Sequence, residues 1–218
     1  MIDIDVSTGK PYHTQINNKK LPMSACNTTS SVMFLIDNDV ELPDVGDEQE
    51  EDVLTGITES PEAYEAMRRL APWAFRPFRT GEPTYPPAQV HVMLDWAMER
   101  WIGRKVSIFR EDVSLEELAL ELVRGRTMVI NGRFTAGGHM VELVGLRSSQ
   151  DDLKLARWPG DVDLRAIEWW RIDDPYGNYH TRYEDPRGNG VTIPREQFND
   201  LTNDYGKNRK WAHLYREA

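Results

Sequence analysis

The 218-residue chain holds a single cysteine, Cys26. One thiol excludes an internal disulfide framework, and one thiol with scattered histidines excludes the usual structural zinc sites. No apolar run approaches the roughly 20 residues needed to span a bilayer. The opening MIDIDVSTGK lacks the basic-then-apolar pattern of a secretory signal peptide. The expectation is a cytoplasmic protein that keeps Cys26 reduced, with release by a signal-independent route left open. Positive charge is also scarce: 26 Lys and Arg stand against 36 Asp and Glu, a net charge of −10. That argues against nucleic acid as a partner, since phosphate neutralisation needs a basic face. It also disfavours anionic membrane surfaces, and it leaves neutral or basic substrates open. The chain shows no internal repeat and no low-complexity tract.

What is present fits one sizeable globular domain, or a two-lobed one: 39% hydrophobic residues, 28% charged, with seven Trp and eight Met. Residues 1–25 read as an extended arm and loop. CNTTSSVMFLI (26–36) reads as a helix that buries Val32, Met33, Leu35 and Ile36, with Ser24 as its expected N-cap. Residues 37–59 are acidic and read as a solvated loop with one short helix. Asp37-Asn38-Asp39 begins like a calcium loop, but Leu42 stands where such a loop needs glycine, so it reads as a helix-ending turn. Helices are expected from Ser60 to about Leu70, over 88–103, and over 114–125 with a Ser114/Glu117 capping box. Residues 75–87, with four prolines and a glycine, read as a loop, and KVSIFRE (105–111) reads as a short strand. After Gly125 the pattern turns to strands: 127–132, 139–146, 167–173, 190–194 and 210–215, with one or two helical turns at PREQFNDL.

The chemistry concentrates in three places. Cys26 lies at a helix start, where unpaired N–H groups and the helix dipole lower a thiol pKa. His139 follows Gly137 and Gly138, which permit close approach of backbone or substrate, and it opens an apolar strand. An acid is then needed to accept the second imidazole N–H. Asp174 precedes Pro175 and ends a strand. Asp173 is its rival, and strand alternation sends the two side chains to opposite faces. Gln15, with the Cys26 backbone N–H, is a candidate donor pair for an oxyanion. Of Trp169 and Trp170, one faces in and the other faces out or lines a cleft. Trp170 and Tyr176 join Gly137 and Gly138 as substrate-binding candidates.

Three segments carry a resemblance: YHTQINN…MSACNTTSSVMFL, TMVINGRFTAGGHMVELVGL, and IDDPYGNYHTRY with GVTIPREQF. Together they are similar to the C39-like peptidase family, within the papain-like cysteine peptidase superfamily. The likeness covers the first 40 residues and roughly 125–200; residues 40–110 carry none of it. It implies a single α+β papain-like domain over 1–218, with a mainly helical lobe (1–125) carrying the Cys helix packed on a mainly antiparallel β lobe (126–218). It also implies Gln15 in the oxyanion hole, Cys26 as nucleophile, His139 as base and Asp174 as orienting acid. Asp174 is the match because it directly precedes Pro-Tyr-Gly. The implied function is hydrolysis of a peptide or amide bond without cofactor or metal, with peptidoglycan peptides, as for a phage lysin, among the substrates. A peptidase-like binding or inhibitory protein without turnover is the alternative.

Overall fold

The computed structural model of the chain describes residues 1–70, 72, 87–202 and 209–217. In chain order the elements are β1 (Ile2–Asp5), α1 (Cys26–Asp37), α2 (Glu50–Thr58), α3 (Pro61–Leu70), α4 (Pro87–Ile102), β2 (Ser107–Val113) and α5 (Leu115–Val123). They continue with β3 (Met128–Gly132), β4 (His139–Ser148), β5 (Ile167–Asp173), β6 (Val191–Pro194), α6 (Arg195–Leu201) and β7 (Lys210–Tyr215). The loop expected at 75–87 lies almost wholly outside the described residues.

Among the described residues, seven strands form one sheet in the order β2-β7-β3-β4-β5-β6, with β1 on β4. Every pairing is antiparallel. β3 pairs with the first half of β4 and β1 with the second, Ile2 opposite Ser148 and Asp5 opposite Gly145. β1 is an element the sequence reading took for an arm. Its alternating half-buried pattern is a strand signal, and Gly145 is the reciprocal one. A Cβ at Gly145 would sit 2.2 Å from the Ile4 carbonyl oxygen, so only glycine lets β1 approach. Arg171 holds β1 from the next strand, through Asp3 at 3.2 Å and Asp5 at 2.7 Å.

Helices cover both faces of the sheet. Leu118, Ala119 and Leu122 of α5 and Phe198 of α6 pack on one face with Met128, Ile130, Leu143, Trp170 and Ile172. On the other, Val32, Phe34 and Leu35 of α1 pack with Leu54, Leu94, Met98, Val129 and Met140. A bulge between Leu143 and Gly145 shifts the side-chain alternation of β4, so Leu143 and Leu146 reach the same core. The sheet runs across the expected boundary at residue 125: β1 and β2, from the first part, join the strands of the second.

Two local expectations change. α1 buries more than one face; Thr28 through Leu35 are all buried, which makes it a central helix. Its hydroxyls are satisfied internally: Thr28 with Thr55 at 2.8 Å, Thr29 with Asn18 at 3.0 Å, Ser30 with the Met140 carbonyl at 3.1 Å, Ser31 with the Asn27 carbonyl at 2.8 Å. The acidic stretch 37–59 is not simply solvated. Glu51 and Asp52 are buried in α2, because His13 pairs with Glu51 and the Lys19 and Lys20 backbone N–H groups donate to Asp52. The capping box on α5 is present as expected, with Ser114 N–H to Glu117 at 2.8 Å and its reciprocal at 3.2 Å.

Candidate active site

Cys26 is the first residue of α1, partly exposed. Ser24 does not cap this helix; the N-cap is Ala25 and no side chain bonds to the first turn. Ser24 instead donates its backbone N–H to Leu21 at 2.8 Å. An uncapped N-terminus leaves first-turn N–H groups without intrahelical partners, beside the thiol.

His139 begins β4 where the strand leaves a turn. Gly138 takes a φ of +82° there, which glycine adopts without strain, and Thr135 Oγ1 donates to the Gly138 carbonyl at 2.7 Å. Gly137 and Gly138 are exposed, with open space where a Cβ would stand. His139 itself is 5% exposed and Asp174 is fully buried. His139 Nε2 lies 2.7 Å from Asp174 Oδ1, and the ring also hydrogen-bonds Cys26. With Nε2 committed to Asp174, Nδ1 is the nitrogen left for the thiol.

The electrostatics follow from this contact. Burial pushes the Cys26 thiol up, but the facing imidazolium, its hydrogen bond and the Met140 backbone N–H outweigh it and hold the thiol below its ordinary value. Burial pulls His139 down, but the Cys26 thiolate and the hydrogen bond to Asp174 raise its pKa to about 10. The two shifts are in the directions that favour a thiolate–imidazolium pair.

Asp174 and Asp173 do diverge. Asp174 turns to His139 and also accepts the Tyr176 N–H at 3.0 Å, while Asp173 accepts the Gly190 N–H at 2.6 Å. The Asp174 turn is locked from behind by the N-terminal arm. Tyr12 donates its hydroxyl to the Asp174 carbonyl at 2.6 Å, and Thr14 and the Gln15 N–H both donate to the Pro175 carbonyl. Gly188 closes the turn: its carbonyl accepts the Asp174 N–H, and a Cβ there would lie 1.9 Å from the Asp174 carbonyl oxygen.

Gln15 is buried and starts a short 3₁₀ turn (Gln15–Asn17). Its Nε2 donates to the Pro22 carbonyl at 2.9 Å, and its Oε1 has no partner. An amide nitrogen carries two N–H donors, so one remains. Tyr176 is brought beside His139, the ring centroids 6.2 Å apart. Trp170 does not. It is fully buried and stacks on Phe198 at 5.0 Å, because Leu146 opposite it sets its face to the α6 core. Trp169 is the partly exposed one of the pair, stacked under Arg171 at 4.9 Å.

Sequence reasoning passed over three residues here. Phe134 and Tyr183 meet the His139 ring edge-on at 6.5 and 6.2 Å, and Tyr12 braces the acid. Tyr183 is left-handed at φ +67°, preceded by Arg182 at +55°, which a TRYEDPRGNG composition does not announce. Beside Tyr183, Phe134, Tyr179, His180, Arg182 and Gln197 line an open depression of about 420 Å³.

No protein-family model matches the chain, and no curated protein does. Among solved structures, a crystal structure from Bacillus anthracis provisionally named a C39-like peptidase matches over 100% of this chain and 99% of that one. The TM-score is 0.55 and the identity 16%. The two share a fold: helices on an antiparallel sheet, of a kind found in that peptidase-named protein. No helix among the described residues is long and apolar enough to cross a membrane.

Proposed function

We propose that the protein is a cysteine hydrolase acting on a peptide or amide bond, with Cys26 as nucleophile, His139 as acid and base, and Asp174 orienting the imidazole. The observation that carries this reading is the buried His139 ring bonded to Asp174 on one side and to a pKa-lowered Cys26 on the other. The name of the Bacillus anthracis neighbour agrees with it.

The Cys26 thiolate adds to the carbonyl carbon, and the carbonyl oxygen becomes an oxyanion. The free N–H of Gln15 and the Cys26 backbone N–H are the donors for that charge. Collapse breaks the C–N bond as His139 gives its Nδ1 proton to the departing amine. The neutral ring then takes a proton from water, the resulting hydroxide attacks the thioester, and the Cys26 thiolate leaves as the carboxylate product forms. Gly137 and Gly138, without side chains at the lip, leave room for substrate backbone, and Tyr176 and the Tyr183-side depression receive its side chains. An acidic protein with this aromatic lip suits a neutral or basic peptide.

The test is the rate of Cys26 alkylation by iodoacetamide against pH, in wild type and His139→Ala. Fast alkylation at neutral pH that disappears in the variant is expected. A single titration near the ordinary thiol value of about 8.5 in both proteins defeats the reading.

A further inference from the structure

The far end of the Cys helix ends in a second constellation that the hydrolase reading does not use. Asp37 closes α1, Glu142 lies three residues beyond His139 on β4, and Asp173 immediately precedes Asp174 on β5. One carboxylate oxygen from each comes within 4.8 Å of the other two. All three residues are buried, Glu142 completely. Glu142 and Asp173 are direct cross-strand partners, an arrangement in which like charges repel.

Among the described residues, the Gly190 N–H at 2.6 Å and the charge of Arg171 offset Asp173 in part, while Glu142 and Asp37 keep unpartnered oxygens. Neither oxygen of Glu142 has a hydrogen-bond partner, nor does Asp37 Oδ1. The Thr127 hydroxyl stands beside Glu142 and lowers its carboxyl only in part against burial and the neighbouring charges. Lys10 reaches the cluster's edge, but its ammonium is spent on the Ile36 and Asp37 carbonyls and on Asp39. Burial first, then neighbouring carboxylates, hold all three above their usual range: Asp173 acts on Asp37, Asp37 and Asp173 act on Glu142, and Asp5 acts on Asp173.

We infer that Asp37, Glu142 and Asp173 form a structural site for one hard divalent cation, calcium-like, that ties the end of α1 to β4 and β5. Two ligands on opposite sides of an ion with oxygen contacts of about 2.4 Å stand about 4.8 Å apart, so the observed spread fits around a single ion. Three carboxylates offer six oxygens, matching the low end of calcium's coordination number of roughly six to eight. Sulfur and imidazole are absent from the cluster, which disfavours zinc and copper. A second acidic group, His13 with Glu50 and Glu51, carries no such inference, because His13 already pairs with Glu51. This site stands independently of the hydrolase reading.

The experiment uses the full chain, stripped with chelator and desalted. Titration calorimetry with CaCl₂ should show about one saturable site, with a rise in Tm on calcium addition. Glu142→Gln and Asp173→Asn should each weaken binding at least tenfold and lose the Tm rise. Manganese-soaked crystals should show an anomalous peak between the three carboxylates, a readout that survives even if the variants fold poorly. No saturable binding of Ca²⁺, Mg²⁺ or Mn²⁺ to the wild type overturns the inference, leaving a cluster of shared protons. Binding unchanged in a folded variant, or the peak appearing elsewhere, overturns it too.

Discussion

At the scale of single residues, the thiol and the imidazole each make the other's charged form favourable, and with Asp174 added at the imidazole this outweighs the opposing effect of burial. The Asp174 hydrogen bond to Nε2 is one of the interactions that raise the His139 pKa to about 10. Asp174→Asn removes that charge, so the alkaline limb of the alkylation profile should move to lower pH. Turnover should fall by roughly 10²–10⁴-fold, the range expected when an imidazole loses its orienting acid. An unmoved limb would mean that Asp174 only fills space. Cys26→Ala should remove turnover altogether while leaving the circular dichroism and Tm near wild type, since the side chain lost is small. Ser24 teaches a related lesson. A serine two residues ahead of a helix looks like a cap, yet the chain turns through Leu21 and leaves the helix start open to the reacting groups.

Elements decide which residues can meet. β1 reaches β4 only because residue 145 has no side chain. Gly145→Ala should push β1 away, with a loss on the order of 1–3 kcal/mol read as a lower midpoint in urea. Retained stability would show that β1 contributes nothing to the sheet. The cap of α5 gives a contrasting, smaller expectation. Ser114→Ala should cost about 1 kcal/mol, because it removes one satisfied first-turn N–H and leaves packing intact. The helices and most strands were legible from periodicity, caps and β-branched runs. β1 was not, because a four-residue strand at a chain end has a short pattern and its decisive partner, Gly145, lies far away in sequence. α1 was read as amphipathic because a hydroxyl-rich face mimics a solvated one. Only its neighbours, Asn18, Thr55 and Met140, show that this face is buried.

For the whole molecule, the three buried carboxyls set a pH dependence. Their folded pKa values lie above the unfolded ones: about 7 for Asp37 and about 6 for Asp173, with Glu142 also raised. A group raised in this way contributes fully below its unfolded pKa of about 4 and loses that contribution as pH climbs through its folded value. In chelator, wild type should therefore lose stability relative to Asp37→Asn between about pH 4 and pH 7. Parallel stability curves for the two proteins would contradict this. His91 adds an opposite slope near neutrality. It is buried against His213 and held well below its ordinary value, so the unfolded chain takes up a proton there that the folded one refuses. The comparison with Asp37→Asn cancels that contribution.

What this chain's sequence determined alone was chemical identity and local form. It carries one thiol at a helix start, a histidine after two glycines, an acid before Pro-Tyr-Gly, and an excess of negative charge. These are short-range facts, written in neighbouring residues. The tertiary structure decided what stands next to what. It put His139 between Cys26 and Asp174, turned Trp170 into the core, brought Tyr12 and Tyr183 against the acid and the imidazole, and gathered Asp37, Glu142 and Asp173 into one buried cluster. The physical reason is that side-chain direction depends on strand register and on bulges such as the one beside Gly145. A shift of one residue sends a side chain to the other face, and only the pairing of distant strands sets that register.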